Sequence, residues 1–232
     1  MTAASRILRE RGRPILERAV CRVPTREEYV ARTFRLEDDV LAAVRASIAG
    51  RGMPAISVAP ELGRLLTLLV RIAGAKKVLE IGALGGYSGV CLARGLAPGG
   101  TLTSLELSAE YAELAGSNLK RAGFGDVAVH RVGPAAESLR ALAEEGERFD
   151  FFFIDADKGN YPLYLDFALR LAVSGAVVCA DNTLLGDAVI DAGKTGETVA
   201  AVRAFNERMA SDPRLESLLL PLRDGFSVAR VR

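Results

Sequence analysis

Histidine and cysteine are almost absent from this chain of 232 residues, which holds one and three of them, and their scarcity removes several chemistries at once. With His130 alone, no Ser/His/Asp set and no imidazole cluster for zinc can be assembled. His130, placed at the end of the third strand, is read as structural. Cys21, Cys91 and Cys179 stand far apart with no CxxC pair, which fits buried thiols in a reducing compartment. No run of about 18 apolar residues occurs and the start lacks the apolar stretch of a secretory signal. A soluble, cytoplasmic protein without a membrane partner is expected.

Charge of one sign is also missing. The net charge of +1 argues against a surface built to neutralise phosphates, so no nucleic-acid partner is expected. Residues 1–35 are the local exception, with nine Arg against four acidic residues. A solvated helix face, a targeting segment and a lid over an anionic substrate all fit that composition.

What is present is ordinary globular material: half the residues are hydrophobic and a quarter charged, and no composition shift marks a linker. We read one domain over 56–232 preceded by a helical extension over 1–55. Thr25-Arg-Glu-Glu28 forms a capping-box pattern. Val30, Phe34, Leu41, Val44 and Ile48 then recur at helical steps, predicting one continuous apolar face until Gly50 and Gly52. Pro60 opens a second helix, which stops near Gly74.

From Lys77 the pattern becomes short apolar runs, each followed by a helix-length stretch: 78–81, 102–105, 128–132, 149–154 and 176–180. Strands apolar on both faces belong to a parallel sheet covered by helices, so the fold class is a Rossmann-like, doubly wound α/β fold. The runs 215–220 and 226–230 are too close for a parallel crossover and predict an antiparallel hairpin. This makes seven strands, mostly parallel, with one edge strand expected to run against the others.

Glu80-Ile-Gly82-Ala-Leu-Gly85-Gly86 follows the first strand and precedes a helix beginning near Tyr87. Glycines at such a turn let a ligand approach the backbone. Glu106 ends the second strand, where a carboxylate can accept both ribose hydroxyls of a nucleoside. NAD and S-adenosylmethionine both satisfy that logic. Glu80 favours the methyl donor, since a carboxylate is unhelpful beside a pyrophosphate but suits a cationic aminoacyl end. The C-terminal hairpin, which a dehydrogenase half-domain does not need, points the same way.

Asp155-Ala-Asp157-Lys158 ends the fourth strand and Asp181-Asn182 the fifth, at the sheet edge where open α/β folds bind ligands. Asp155, Asp181 and Asn182 offer the hard oxygen ligands that Mg²⁺, Mn²⁺ or Ca²⁺ prefer. A single Asp at a strand end is commonly a helix cap. Two on adjacent strands repel each other unless a cation neutralises them. A metal there would acidify and orient a hydroxyl for methyl transfer, and Lys158 is the candidate general base. The rivals are an NAD-dependent dehydrogenase and a module that binds S-adenosylmethionine without turnover.

These motifs resemble the cation-dependent class I O-methyltransferase family that includes plant caffeoyl-CoA and animal catechol O-methyltransferases. The landmarks are Leu79-Glu80-Ile81-Gly82, Gly86-Tyr87-Ser88, Gly133-Pro134-Ala135, Asp155-Ala-Asp157-Lys158-Gly-Asn160-Tyr161, Asp181-Asn182 and Asp224-Gly225, in a match running from about Ile56 to the C-terminus. The resemblance implies cofactor contacts at Val58, Glu80, Gly82, Ala83, Ser88, Glu106, Ala135 and Asp157. It implies metal ligands at Asp155, Asp181 and Asn182, and the base at Lys158. It further implies a homodimer, N-terminal helices that shape the acceptor pocket, and a small aromatic acceptor with neighbouring hydroxyls. Leu185 stands where plant members often carry Trp.

Overall fold

The computed structural model describes residues 25–232; the Arg-rich start through residue 24, Cys21 included, lies outside the described residues. Every apolar run forms a strand: β1 (Lys77–Ile81), β2 (Thr101–Glu106), β3 (Ala128–Val132), β4 (Phe149–Ile154), β5 (Ala172–Asp181), β6 (Leu215–Leu220) and β7 (Phe226–Val231). Helices α1 (Arg26–Phe34), α2 (Asp39–Gly50) and α3 (Pro60–Ala73) precede β1. Helices α4 (Tyr87–Ala93), α5 (Ala109–Arg121), α6 (Ala135–Glu144), α7 (Tyr161–Leu171) and α8 (Glu197–Ser211) connect the strands. His130 lies in the middle of β3 rather than at its end.

The sheet order is β3-β2-β1-β4-β5-β7-β6, with β1 to β5 parallel and β7 antiparallel to both neighbours. The expected doubly wound fold is therefore present. The reversed strand, however, is β7 inside the sheet, not an edge strand. The crossover through α8 carries the chain past an empty lane, and the short 221–225 turn folds β7 back into it, leaving β6 at the edge in the common direction.

Strand alternation divides the interior into two layers. Val78, Leu102, Phe151 and Phe153 face α2 to α5, whereas Leu79, Ile81, Phe152 and Ile154 face α6 to α8. Glu80 falls on the first of these buried faces, in register with Phe153 on one side and with the polar Ser104 on the other. The side chains of Leu41, Val44 and Ile48 bring α2 into the same layer.

The single helix expected from Val30 to Ile48 is in fact two. The capping box starts α1 as predicted, with Thr25 and Glu28 exchanging hydrogen bonds. Arg35 then turns left-handed at φ 46°, and Asp38 opens α2 by accepting from Leu41 N at 3.0 Å. Phe34 is largely exposed, so the apolar periodicity spans a break that the Asp38 cap makes favourable. Pro60 at the first turn and Gly74 in the left-handed region bound α3 as expected.

Gly82 is the position on which the site's frame turns. Its φ is +97°, and a Cβ there would lie 2.1 Å from the carbonyl oxygen of Asp155. Gly82→Ala is therefore expected to cost about 3 kcal/mol or more in folding stability, from strain and overlap together. Urea unfolding measures this, and a loss under about 1 kcal/mol would show that the two strand ends can separate freely.

Candidate active site

The order β2-β1-β4 creates a topological switch point, because the chain leaves β1 to one side and returns at β4 on the other. A cleft of about 540 Å³ opens there, a size suited to a small organic ligand. It is lined by the segments that follow four strands: Gly82 to Leu84 after β1, Glu106 and Leu107 at the end of β2, Pro134 to Ala136 after β3, and Asp155 to Lys158 after β4. Val58 and Ser88 also line it. All the expected cofactor residues except Glu80 thus border one cavity, together with Asp155 and Lys158.

Glu80 lies behind that wall with no exposed surface. Its carboxylate accepts from Ser88 Oγ at 2.5 Å and from Ser104 Oγ at 2.6 Å. Burial raises its pKa to about 7, with the charges of Asp155 and Glu106 adding to the rise and the two hydroxyls opposing it. Ser104 escaped the sequence reading. Its signal was a hydroxyl residue in a buried strand, in register with Glu80.

Glu106 fastens the glycine turn. Its Oε2 accepts from the amides of Ala83 at 3.2 Å and Leu84 at 2.8 Å, and its Oε1 accepts from Ser108 at 3.0 Å. Leu84 is left-handed at φ 46°, a conformation such anchoring can sustain. Gly85 lets α2 approach, since a Cβ there would sit 2.3 Å from Ile48 Cγ1. Tyr87, at the start of α4, lines the cleft and donates to Glu37 at 2.7 Å. The Arg45 guanidinium lies 4.4 Å from the Tyr87 ring centre, so the turn before α2 is tied to the cleft wall.

On the other half, Lys158 Nζ donates to Asp155 Oδ1 at 2.7 Å, both side chains being mostly buried. Asp157 accepts from Tyr164 Oη and, at 2.5 Å, from Asn160 Nδ2. Asp181 and Asn182 follow on β5 but do not border the cleft. Burial, and then the neighbouring Asp155, raise Asp181 to about 6, against the Asn182 amide and the Lys158 charge. Asn182 is left-handed at φ 54° and its amide donates to Asp181 Oδ1 at 2.8 Å. Among the described residues, no three His, Cys, Asp or Glu side chains are grouped to hold a metal.

His130 Nε2 is buried without a hydrogen-bond partner, and burial lowers its pKa. Cys91 and Cys179 are buried and free, as expected. No helix among the described residues is long and apolar enough to cross a membrane.

Glu80 gives a stability that depends on pH. Its proton is held more tightly in the folded chain than in the unfolded one, so its contribution is full below about pH 4.5 and is lost as pH rises through about 7. Glu80→Gln is expected to unfold at higher denaturant than the parent at pH 8, by about 3 kcal/mol, and to match it near pH 4.5. A difference independent of pH would mean that Glu80 does not titrate in this range.

Comparison with known proteins agrees with this geometry. A family model described as O-methyltransferase matches residues 31–232, beginning earlier than the expected start near Ile56. A catechol O-methyltransferase of Niastella koreensis is 38% identical over 212 residues, covering 89% of this chain and 96% of its own. A catechol O-methyltransferase of Mycobacterium tuberculosis is 38% identical over 214 residues, covering 90% and 96%. The crystal structure of an O-methyltransferase from Bacillus cereus, described as in complex with SAH, superposes with a TM-score of 0.84 at 40% identity, covering 88% and 96%. The enzyme class expected from the motifs, an S-adenosylmethionine-dependent O-methyltransferase, stands, and the dehydrogenase reading falls. The chain belongs to the O-methyltransferase family.

Proposed function

We propose that this enzyme moves the methyl group of S-adenosylmethionine to one of two neighbouring hydroxyls on a small aromatic acceptor, using a divalent cation held by Asp155, Asp181 and Asn182. The observation that carries the reading is the meeting of two half-sites in one cleft, where Asp155 and Lys158 share the lining with Gly82, Ala83, Ser88 and Glu106. The catechol O-methyltransferase relatives and the SAH-bound neighbour support it.

The residues fit a hard cation, with Mg²⁺ the first choice and Mn²⁺ or Ca²⁺ as alternatives. They offer two carboxylates and an amide oxygen, with no thiolate or imidazole beside them. Burial and then the charge of Asp155 lift Asp181, and the repulsive part of that cost is what a bound cation would remove. When bound, the cation supplies Lewis acidity that makes an acceptor hydroxyl more acidic and fixes its direction.

The chain's own groups do the rest. Val58, Ala83 and Ala135 form apolar wall, and Glu106 accepts the donor's ribose hydroxyls. Ser88 presents its hydroxyl to the aminoacyl end, with the Glu80 charge behind it. Asp157, oriented by Tyr164 and Asn160, completes the cofactor side. In its neutral amine form Lys158 takes the acceptor's proton at Nζ, from a position fixed by Asp155 and by the Tyr161 ring 5.0 Å away. Such proton transfer contributes typically 10²–10⁴-fold.

The segment 1–55 serves in this reading as a helical extension of the 56–232 domain, and of its described residues Pro54 borders the cleft. A homodimer follows from the family resemblance. The buried free thiols suit a cytoplasmic setting.

Asp155→Ala is expected to lower methyl transfer by at least about 100-fold while calorimetry finds S-adenosylhomocysteine bound nearly as before. Retained transfer would remove Asp155 from the reaction. Lys158→Met is expected to lower kcat by about 10²–10⁴-fold with acceptor affinity little changed and the rise of rate with pH on the acidic limb of the profile lost. A profile of unchanged shape would exclude it as the base.

A further inference from the structure

Tyr161 is fully buried, and its hydroxyl lies 2.9 Å from the carbonyl oxygen of Asp181 and 3.3 Å from that of Ile154. These two carbonyls belong to neighbouring strands, and each sits at a strand's last residue. The β4–β5 ladder ends at the pair Ile154 and Ala180, so Asp155 and Asp181 both extend past the last register pair. Beyond it, the shared hydroxyl proton is a cross-tie between the two chains.

The ring that carries this hydroxyl is itself held. It meets Phe205 edge to face at 5.2 Å and Tyr164 at 6.4 Å, and Lys158 Nζ stands 5.0 Å from its centre. Since Lys158 also donates to Asp155, one side chain adjoins the carbonyl before Asp155, the carbonyl of Asp181 and the ammonium that Asp155 holds.

We infer that Tyr161 is a positioning residue whose hydroxyl sets the separation of Asp155 and Asp181, and thereby the affinity of the site for a divalent cation. The inference rests on the cation reading above. Groups that orient metal ligands from behind typically change metal affinity by 10–100-fold when removed. The ring itself is not needed for this effect, only its oxygen.

Direct Mn²⁺ binding, followed by the electron paramagnetic resonance of the free ion, tests it without turnover. Tyr161→Phe is expected to weaken Mn²⁺ binding by about tenfold or more and to leave S-adenosylhomocysteine affinity within about twofold. Phe205→Leu, which loosens the same packing but keeps the hydroxyl, is expected to lower thermal stability and leave the Mn²⁺ affinity of the folded protein unchanged. Equal Mn²⁺ binding by Tyr161→Phe and the parent overturns the inference, and so does an equal loss in both variants. Failure of the parent itself to bind Mn²⁺ overturns the cation reading, and this inference with it. Should Tyr161→Phe not fold, the Tyr161 hydroxyl proton of the parent must shift in nuclear magnetic resonance spectra when Mg²⁺ is added. An unmoved resonance overturns the proposal.

Discussion

The close approach of β1 to β4 at their carboxyl ends is the constraint from which the site follows. Asp155 N donates to the carbonyl of Ile81 at 2.9 Å, and the carbonyl of Asp155 occupies the space where any side chain at position 82 would begin. One side of this contact leads into the glycine turn, which Glu106 fastens through two amides. The other leads to Asp157 and Lys158. The glycine turn and the segment bearing the proposed base are thus separated by a single backbone contact, so packed main chain fixes their relative position.

This arrangement concentrates negative charge at one sheet edge. Glu80 is raised by its burial and then by Asp155 and Glu106, and Asp181 by its burial and then by Asp155. The chain offsets that cost only in part, with the hydroxyls of Ser88 and Ser104, the Asn182 amide and the Lys158 ammonium. A structure built for stability alone would place apolar residues at 80 and 181, as it does at their register partners Phe153 and Phe226. Retained acidic groups in such a setting mark a place where positive charge is expected to arrive. The cationic methyl donor meets that expectation, and so would the divalent cation proposed for Asp155, Asp181 and Asn182.

Much of this was legible before any coordinates, because parallel strands covered on both faces are written as apolar runs, and because Glu80, Glu106, Asp155 and Asp181 each terminate or interrupt one. Pro60 and Gly74 bounded α3 by local chemistry alone. The break at Arg35 was not legible from periodicity, which runs on through it, although the Asp38 cap was present to be read. Nor could sequence say which hairpin strand enters the sheet, since pairing of β7 with β5 is decided by tertiary contact. The hydroxyls of Ser104, Tyr161 and Tyr164 were missed for a related reason. Their partners are set by register and by the start of α7, not by spacing along the chain.

The most direct test of the account is methyl transfer from labelled S-adenosylmethionine to a panel of aromatic compounds with paired hydroxyls and their mono-hydroxyl counterparts, with Mg²⁺ or with excess chelator. The account predicts labelling of the paired-hydroxyl compounds only, abolished by chelator and restored by added Mg²⁺. Labelling of mono-hydroxyl compounds that ignores the chelator would contradict it, leaving a methyltransferase in which Asp155, Asp181 and Asn182 hold no cation.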